Sequence, residues 1–139
     1  MQRIEIENFG AIKHVAFDIR DYTVFIGPQA SGKSTIARLV YFFLSQEEEL
    51  SVLFFDKDGS FIRPTIERWK EKILEKFNKF WDRSFLHENT QISFFIDNSK
   101  KISLNFRNGL LNVLMSESLE SVFNQSVDIV TDQYEKDNK

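Results

Sequence analysis

The chain has 139 residues, the length of one domain, and 42% of them are hydrophobic, so it can bury a substantial core. Its net charge of −3 argues against a nucleic-acid-binding domain, which is usually basic, unless a local patch or a partner supplies positive charge. Disulfides and thiolate metal sites are excluded because the chain has no cysteine. No apolar run approaches the ~20 residues of a membrane span, and the N-terminus does not resemble a secretion signal. These features predict a cytoplasmic protein that does not enter a membrane.

The first 45 residues change from strand to helix periodicity. Alternating apolar residues at 4–6 and 15–19 predict two half-buried strands joined through Gly10. Residues 22–26 predict a third strand, which ends at Gly27. Apolar residues then recur at spacings of three and four, which predicts a helix over 33–45. We expect this helix to end before the acidic run 47–49, because acids are unfavourable at the negative end of a helix dipole.

The remaining chain predicts a short strand at 51–55, a turn at Asp58-Gly59 and a long amphipathic helix over 66–81, with Pro64 in its first turn. Residues 92–96 and 102–106 predict a hairpin that turns at 97–99. Residues 110–123 predict a helix, and a frayed polar tail follows Asp132. We therefore expect an α/β fold, in which a mixed sheet with an antiparallel hairpin is flanked by helices. It forms one partial domain over residues 1–132, followed by the tail 133–139.

One motif carries chemistry. Residues 27–34, Gly27-Pro28-Gln29-Ala30-Ser31-Gly32-Lys33-Ser34, match G-x-x-x-x-G-K-[ST] without a gap. The glycines let backbone N–H groups surround phosphate oxygens. Lys33 places a positive charge against the β and γ phosphates, and the Ser34 hydroxyl is a hard oxygen suited to Mg²⁺. A strand before the motif and a helix after it complete the context. We predict that these residues and Thr35 bind ATP with Mg²⁺.

Residues 4–19 (IEIENFGAIKHVAFDI) and 21–43 (DYTVFIGPQASGKSTIARLVYFF) resemble the N-terminal head segment of ABC-type P-loop ATPases. The group includes the SMC, RecF and OLD (overcoming lysogenization defect) proteins. These proteins open with a strand, an Asn-Phe pair (here Asn8-Phe9), two more strands and the phosphate loop. The resemblance covers about the first third of the chain. It departs at Gln29-Ala30, where Asn-Gly is common, which leaves the phosphate cradle intact but alters its flexibility.

The resemblance implies a nucleotide sandwiched between two heads, with hydrolysis linked to engaging DNA or a partner protein. It also implies that residues 8–13 approach the adenine. The rest of this family's machinery is missing from the sequence, which has no LSGGQ-like signature and no run of four apolar residues followed by Asp-Glu. We therefore expect hydrolysis to need a complementary C-terminal half, a homodimer or another partner, and we assign no catalytic residue.

Two segments imitate the missing apolar-Asp-Glu motif. Residues 52–56 end in Asp56, but Lys57 stands where the base is expected, and the segment follows the loop too closely for this family. Residues 94–97 end at the predicted hairpin turn. Asp56 is the better candidate for a magnesium contact, although an ordinary strand that ends in a turn acid explains both segments.

Two other functional classes remain open. The first is an interaction module that binds nucleotide without hydrolysing it. The second is a small P-loop kinase. It is disfavoured because such enzymes usually place the loop after their first strand, whereas here two strands come before the one that leads into the loop, and because the arginines at 63, 68 and 83 do not cluster in a lid. His14 and His87 lack a nearby His or Cys, which favours structural roles over a metal site. The lysines at 70, 72, 76 and 79 alternate with glutamates, so we expect a solvated helix face and contact with DNA only indirectly or through a partner.

Overall fold

The computed structural model describes residues 1–20 and 32–138, in which a sheet of five strands packs against helices. The strands are β1 (Arg3–Phe9), β2 (Ile12–Asp18), β3 (Leu86–Phe95), β4 (Lys101–Arg107) and β5 (Leu110–Met115). The helices are α1 (Lys33–Leu44), α2 (Gln46–Glu49), α3 (Ile66–Phe80) and α4 (Glu117–Asp137), with 3₁₀ turns at Leu50–Phe54 and Arg83–Phe85. The strand order is β2-β1-β3-β4-β5.

All strand pairs within the described residues are antiparallel, whereas we predicted a mixed sheet. The predicted third strand, residues 22–26, lies outside the described residues. The first two predicted strands and the later hairpin are confirmed. At the hairpin turn, the Asp97 carboxylate accepts hydrogen bonds from the N–H groups of Ser99 and Lys100 at 2.8 and 2.9 Å. These bonds, with the Lys100 ammonium, hold the pKa of Asp97 well below its ordinary value.

The two faces of the sheet differ in polarity because successive side chains in a strand point to opposite sides. On one face, Ile4 of β1 lies between Phe17 of β2 and Phe94 of β3. This face is covered by helices: the ring of Phe43 in α1 stacks on Phe94 with 5.2 Å between centroids. The other face carries mainly polar side chains on the central strands. The core therefore lies between one face of the sheet and the helices.

Helix α3 is the predicted amphipathic helix, and it begins and ends close to the predicted positions. Thr65 caps its N-terminus by accepting a hydrogen bond from the Arg68 N–H at 3.1 Å. Pro64 precedes this cap rather than lying inside the first turn. Trp69 is buried and stacks on Phe123 of α4 at 5.0 Å. The apolar stripe is thus part of the core, as expected for an amphipathic helix.

The strand predicted at residues 51–55 is wrong, because the chain forms a 3₁₀ turn over Leu50–Phe54. Leu53 is buried, and the Arg68 guanidinium donates to the carbonyls of Leu53 and Phe55 at 3.1 and 2.9 Å. Packing against α3 therefore overrides the strand preference of this apolar run. Only Phe55 forms a strand-like bridge, to Phe61 across the predicted turn at Asp58-Gly59.

The helix predicted over 110–123 is wrong in its first half, which forms β5. Asn108 and Gly109 both have positive φ values, 53° and 77°, the geometry of a two-residue hairpin turn. Helix α4 begins only at Glu117 and continues to Asp137, beyond Asp132, where we expected a frayed tail.

A further difference concerns the acidic run 47–49, which is helical although α1 ends before it. The helix is interrupted at Ser45, and the three glutamates occupy the first turn of α2. Acids are favourable there because a helix N-terminus is positive. The dipole argument therefore correctly ended α1 but overlooked a new helix.

Candidate functional site

The N-terminus of α1 has the backbone geometry of an anion site. The N-cap residue is Gly32, with a φ of 89°, and the first helical hydrogen bond runs from the Ile36 N–H to the Gly32 carbonyl at 2.9 Å. The amides of Ser34 and Thr35 precede that bond, so the helix itself offers them no acceptor. Gly32 has no side chain with which to cap them, and the first turn carries no acidic residue. This positive helix end is therefore suited to a negatively charged group.

Glycine is required at position 32 for two separate reasons. Its φ of 89° lies in a region that side-chain-bearing residues rarely adopt. In addition, a Cβ on Gly32 would lie 2.7 Å from the Cγ1 of Ile12, which is closer than two carbons can pack. Ile12 is buried at the start of β2, so the end of the phosphate loop lies directly against the β1–β2 turn.

The β1–β2 turn is held by the segment that enters β3. The Gly10 N–H donates to the Phe85 carbonyl at 2.8 Å, and the His87 ring nitrogen Nε2 lies 3.0 Å from the Gly10 carbonyl oxygen. The Asn8 amide donates to the Asn89 carbonyl at 3.3 Å. The structure thus brings the segment 8–13 beside Gly32. The structural role expected for His87 is confirmed, but sequence reasoning did not link it, Phe85 or Asn89 to this turn, because they are more than 70 positions away and no local pattern connects them.

Arg38 connects α1 to the end of α3. Its guanidinium donates to the Phe80 carbonyl at 2.6 Å and lies 5.3 Å from the centre of the Trp81 ring. A cation at the last carbonyls of a helix is favoured by the helix dipole, and its position over an indole adds a cation–π contact. These contacts are formed on the second turn of α1, so they hold the helix start in position relative to the core.

The predicted nucleotide-binding residues fall into two groups. Gly27, Pro28, Gln29, Ala30 and Ser31 lie outside the described residues. Gly32, Lys33, Ser34 and Thr35 are described and form the start of α1. Ser34 is exposed, whereas Lys33 and Thr35 are half-buried. The backbone geometry of this described part of the motif suits a phosphate group, and the first turn of α1 carries no acidic residue that would repel one.

Asp56, the candidate magnesium contact, lies in another part of the structure. Its carboxylate accepts hydrogen bonds from the N–H groups of Asp58 and Ser60, both at 2.9 Å. It lines a cavity of about 770 Å³ together with Gln46 and Glu49, which follow the C-terminal end of α1. A helix of this length spans about 18 Å, so Asp56 and Ser34 lie towards opposite ends of α1. The role of Asp56 in binding magnesium stays a prediction. Its hydrogen bonds to the N–H groups of Asp58 and Ser60 are those of a residue that stabilises a turn.

The remaining candidate residues have structural contacts. Within residues 1–20 and 32–138, no group of three or more His, Asp or Glu side chains is placed to hold a metal ion. Two lysines of α3 pair with acids on neighbouring elements: the Lys76 ammonium lies 2.7 Å from the Glu49 carboxylate, and that of Lys70 lies 3.8 Å from Glu120. These ion pairs reduce the positive charge that α3 could offer to DNA.

Comparison with known protein families gives a match to the AAA ATPase domain over residues 1–139. The chain belongs to this family. Comparison with curated proteins and with solved structures gives no match. Members of the AAA ATPase family are nucleotide-binding proteins that generally use ATP with Mg²⁺, in agreement with the geometry of α1. None of the helices in the described part of this AAA ATPase domain has the length and apolar character needed to cross a bilayer.

Proposed function

We propose that this AAA ATPase domain binds ATP·Mg²⁺ through residues 27–35. The observation that carries the proposal is the start of α1, where Gly32 adopts a left-handed conformation and leaves the amides of Ser34 and Thr35 without helical acceptors. The complete phosphate-loop sequence and the family match support it. In this arrangement the loop amides and the helix dipole bind the phosphates.

Each described residue has a distinct role in the proposed complex. The Lys33 ammonium neutralises the charge on the β and γ phosphates. The Ser34 hydroxyl is the protein oxygen that holds Mg²⁺, which when bound offsets the negative charge of the triphosphate. The segment 8–13 forms the neighbouring wall, since Gly32 lies against Ile12. By resemblance to the SMC, RecF and OLD proteins, this wall is the side on which the adenine lies.

We further propose that hydrolysis needs a complementary half or a partner, as in an OLD/SMC/RecF-like head. A water must be oriented or deprotonated for the reaction, and magnesium must be held by more than one protein group. The two acids that end apolar runs, Asp56 and Asp97, are each engaged by backbone amides of their own turns. The same contacts favour a second candidate function, an interaction module that binds ATP without hydrolysing it.

The binding proposal is tested with Lys33→Ala. The substitution removes charge-assisted contacts of about 1.5–3 kcal/mol, so ATP affinity should fall roughly ten- to hundredfold. Calorimetric titration with ATP and Mg²⁺ measures the change. The control is Lys57→Ala, which removes the same charge from an exposed position in the Asp58-Gly59 turn and should leave affinity unchanged. Equal affinity of wild type and Lys33→Ala would show that the loop is not the nucleotide site.

The hydrolysis proposal is tested by phosphate release from the chain alone. The chain should turn ATP over at a barely measurable rate, because its sequence has neither an LSGGQ-like signature nor a run of four apolar residues followed by Asp-Glu with which to favour the transition state. Lys33→Ala is the control for contaminating ATPases. Sustained turnover near 1 s⁻¹ that disappears in this variant would contradict the proposal and make Asp56 the first residue to replace. Activity that appears only with an added C-terminal half would separate the ATPase from the non-hydrolysing module.

A further inference from the structure

The two edges of the sheet are protected to different extents. At one edge of the sheet formed by the described residues, β2 carries Lys13, His14 and Asp18. At the other edge, β5 has the sequence LLNVLM and carries no charge. Proteins commonly place charges, prolines or bulges on edge strands because an uncharged apolar edge pairs readily with another strand. The β5 edge has none of these features, so it is suited to strand pairing.

The backbone of β5 is available for such pairing. Asn108 and Gly109 form a two-residue turn, so Leu110 is hydrogen-bonded to Arg107 in β4. Bonding alternates along an antiparallel strand. Asn112 and Leu114 therefore also face β4, whereas the N–H and C=O groups of the alternate residues point outward. These outward residues are Leu111, Val113 and Met115, and in the described part of the chain no strand pairs with them on that side.

The side chains of β5 make this edge self-complementary. Leu110 and Leu114 lie on the face of the sheet opposite the core and are 65% and 52% exposed. They are equidistant from Asn112. A second β5 strand running antiparallel about Asn112 would place Leu110 opposite Leu114 of the second copy. It would also place Asn112 opposite Asn112 of that copy, where the two amides can form a hydrogen bond.

The same register satisfies the backbone. Leu111 lies opposite Val113 of the second copy, and both residues direct their hydrogen-bonding groups towards the interface. Cross-strand leucine contacts and new ladder bonds then form together. Like strands can approach without repulsion because β5 carries no charge.

We propose that β5 is a homodimerisation edge at which the β5 strands of two copies pair antiparallel about Asn112 to continue the sheet. This interface is separate from the proposed nucleotide site at α1, so dimerisation requires neither ATP nor Lys33. An edge of six residues is small compared with stable interfaces, so the dissociation constant should be about 10–100 μM.

The first test is sedimentation equilibrium of the whole chain without nucleotide, from about 5 to 500 μM around the expected constant. Wild type and Lys33→Ala should both form dimers. The double variant Leu110→Lys/Leu114→Lys should dimerise at least about tenfold more weakly, because it places like charges opposite each other. The matched control is Val122→Lys/Ile129→Lys, which changes two exposed apolar residues of α4 and should dimerise like wild type. A wild-type monomer at all concentrations, or equal dimerisation of the two double variants, would overturn the proposal.

The register is tested by disulfide trapping. Because the chain has no native cysteine, an introduced cysteine can form a disulfide only with the same residue of another copy. Residues opposite each other in a non-hydrogen-bonded antiparallel pair have Cα atoms about 4.5 Å apart, within reach of a disulfide. Under mild oxidation Asn112→Cys should become a covalent dimer. Asn124→Cys, exposed on α4, should remain largely monomeric. Equal cross-linking of both variants, or no cross-linking of Asn112→Cys, would contradict pairing about Asn112.

Discussion

The two ends of α1 differ in how their polar groups are satisfied, although the helix is only 12 residues long. At the N-terminal end, Gly32 leaves backbone donors unsatisfied by the helix, and Ser34 is exposed. At the C-terminal end, Phe42 and Phe43 are buried, and the Ser45 hydroxyl caps the helix by donating to the Phe42 carbonyl at 2.8 Å. At one end the helix itself supplies no acceptor for the amides of Ser34 and Thr35, whereas at the other end the Phe42 carbonyl is capped and the aromatic side chains are packed.

This difference indicates how one helix can combine stability with binding. The aromatic residues of the second half and the Arg38 contacts anchor α1 to the core. These contacts can hold the first turn in its helical conformation although the helix itself supplies no acceptor for the amides of Ser34 and Thr35.

The largest expected effect is at the packed end. Phe42 is fully buried, and its ring lies 5.6 Å from Trp81 and 5.8 Å from Phe77. Phe42→Ala should reduce the free energy of unfolding by about 3–5 kcal/mol, because it leaves a cavity among these rings. Urea denaturation followed by circular dichroism measures the change. Tyr41→Ala is the control: Tyr41 is adjacent but 64% exposed, so its removal should change stability by about 0.5 kcal/mol or less. Similar losses in both variants would show that this end is not the anchor.

A smaller effect on stability is expected at the binding end. Gly32→Ala places a Cβ in a left-handed conformation and against Ile12, which should cost about 1–3 kcal/mol. Because the backbone must move to accommodate this Cβ, the amides of the first turn of α1 move as well, and ATP affinity should also fall. Gly59→Ala is a matched control, since Gly59 has a φ of 79° but no atom within 4 Å of an added Cβ. It should show the backbone strain alone and normal affinity. Unchanged ATP binding in Gly32→Ala would show that the conformation of Gly32 is not needed for the proposed nucleotide site.

Local signals were enough to predict several elements. The strands around Ile4 and Phe17, the turn at Asp97 and the helix from Ile66 all depend on alternation, turn chemistry or periodicity within short windows. The error at residues 110–115 was also local. Asn108-Gly109 is a strong hairpin signal, whereas the helix prediction depended on the spacing of apolar residues. A short apolar run does not distinguish a helix from a strand.

Other features could not be read from the sequence because they depend on contacts between distant segments. The apolar run 51–55 has strand character, yet Arg68 and the α3 surface hold most of it as a 3₁₀ turn. The brace on Gly10 comes from Phe85 and His87. Likewise, only the folded structure shows that Asp56 lines a cavity with Gln46 and Glu49, which follow the C-terminal end of α1.

The sequence alone therefore determined the match to a phosphate-loop motif and the chemistry that we predict for it, because glycine conformations, a lysine charge and a serine hydroxyl are properties of the residues themselves. It also determined which faces of the regular elements are apolar. Only the tertiary structure decided that Ile12 packs against Gly32, that Asp56 shares a cavity with Gln46 and Glu49 and that β5 ends the described sheet as an uncharged edge. These outcomes depend on packing between residues far apart in the chain, whose energies no local window of sequence contains.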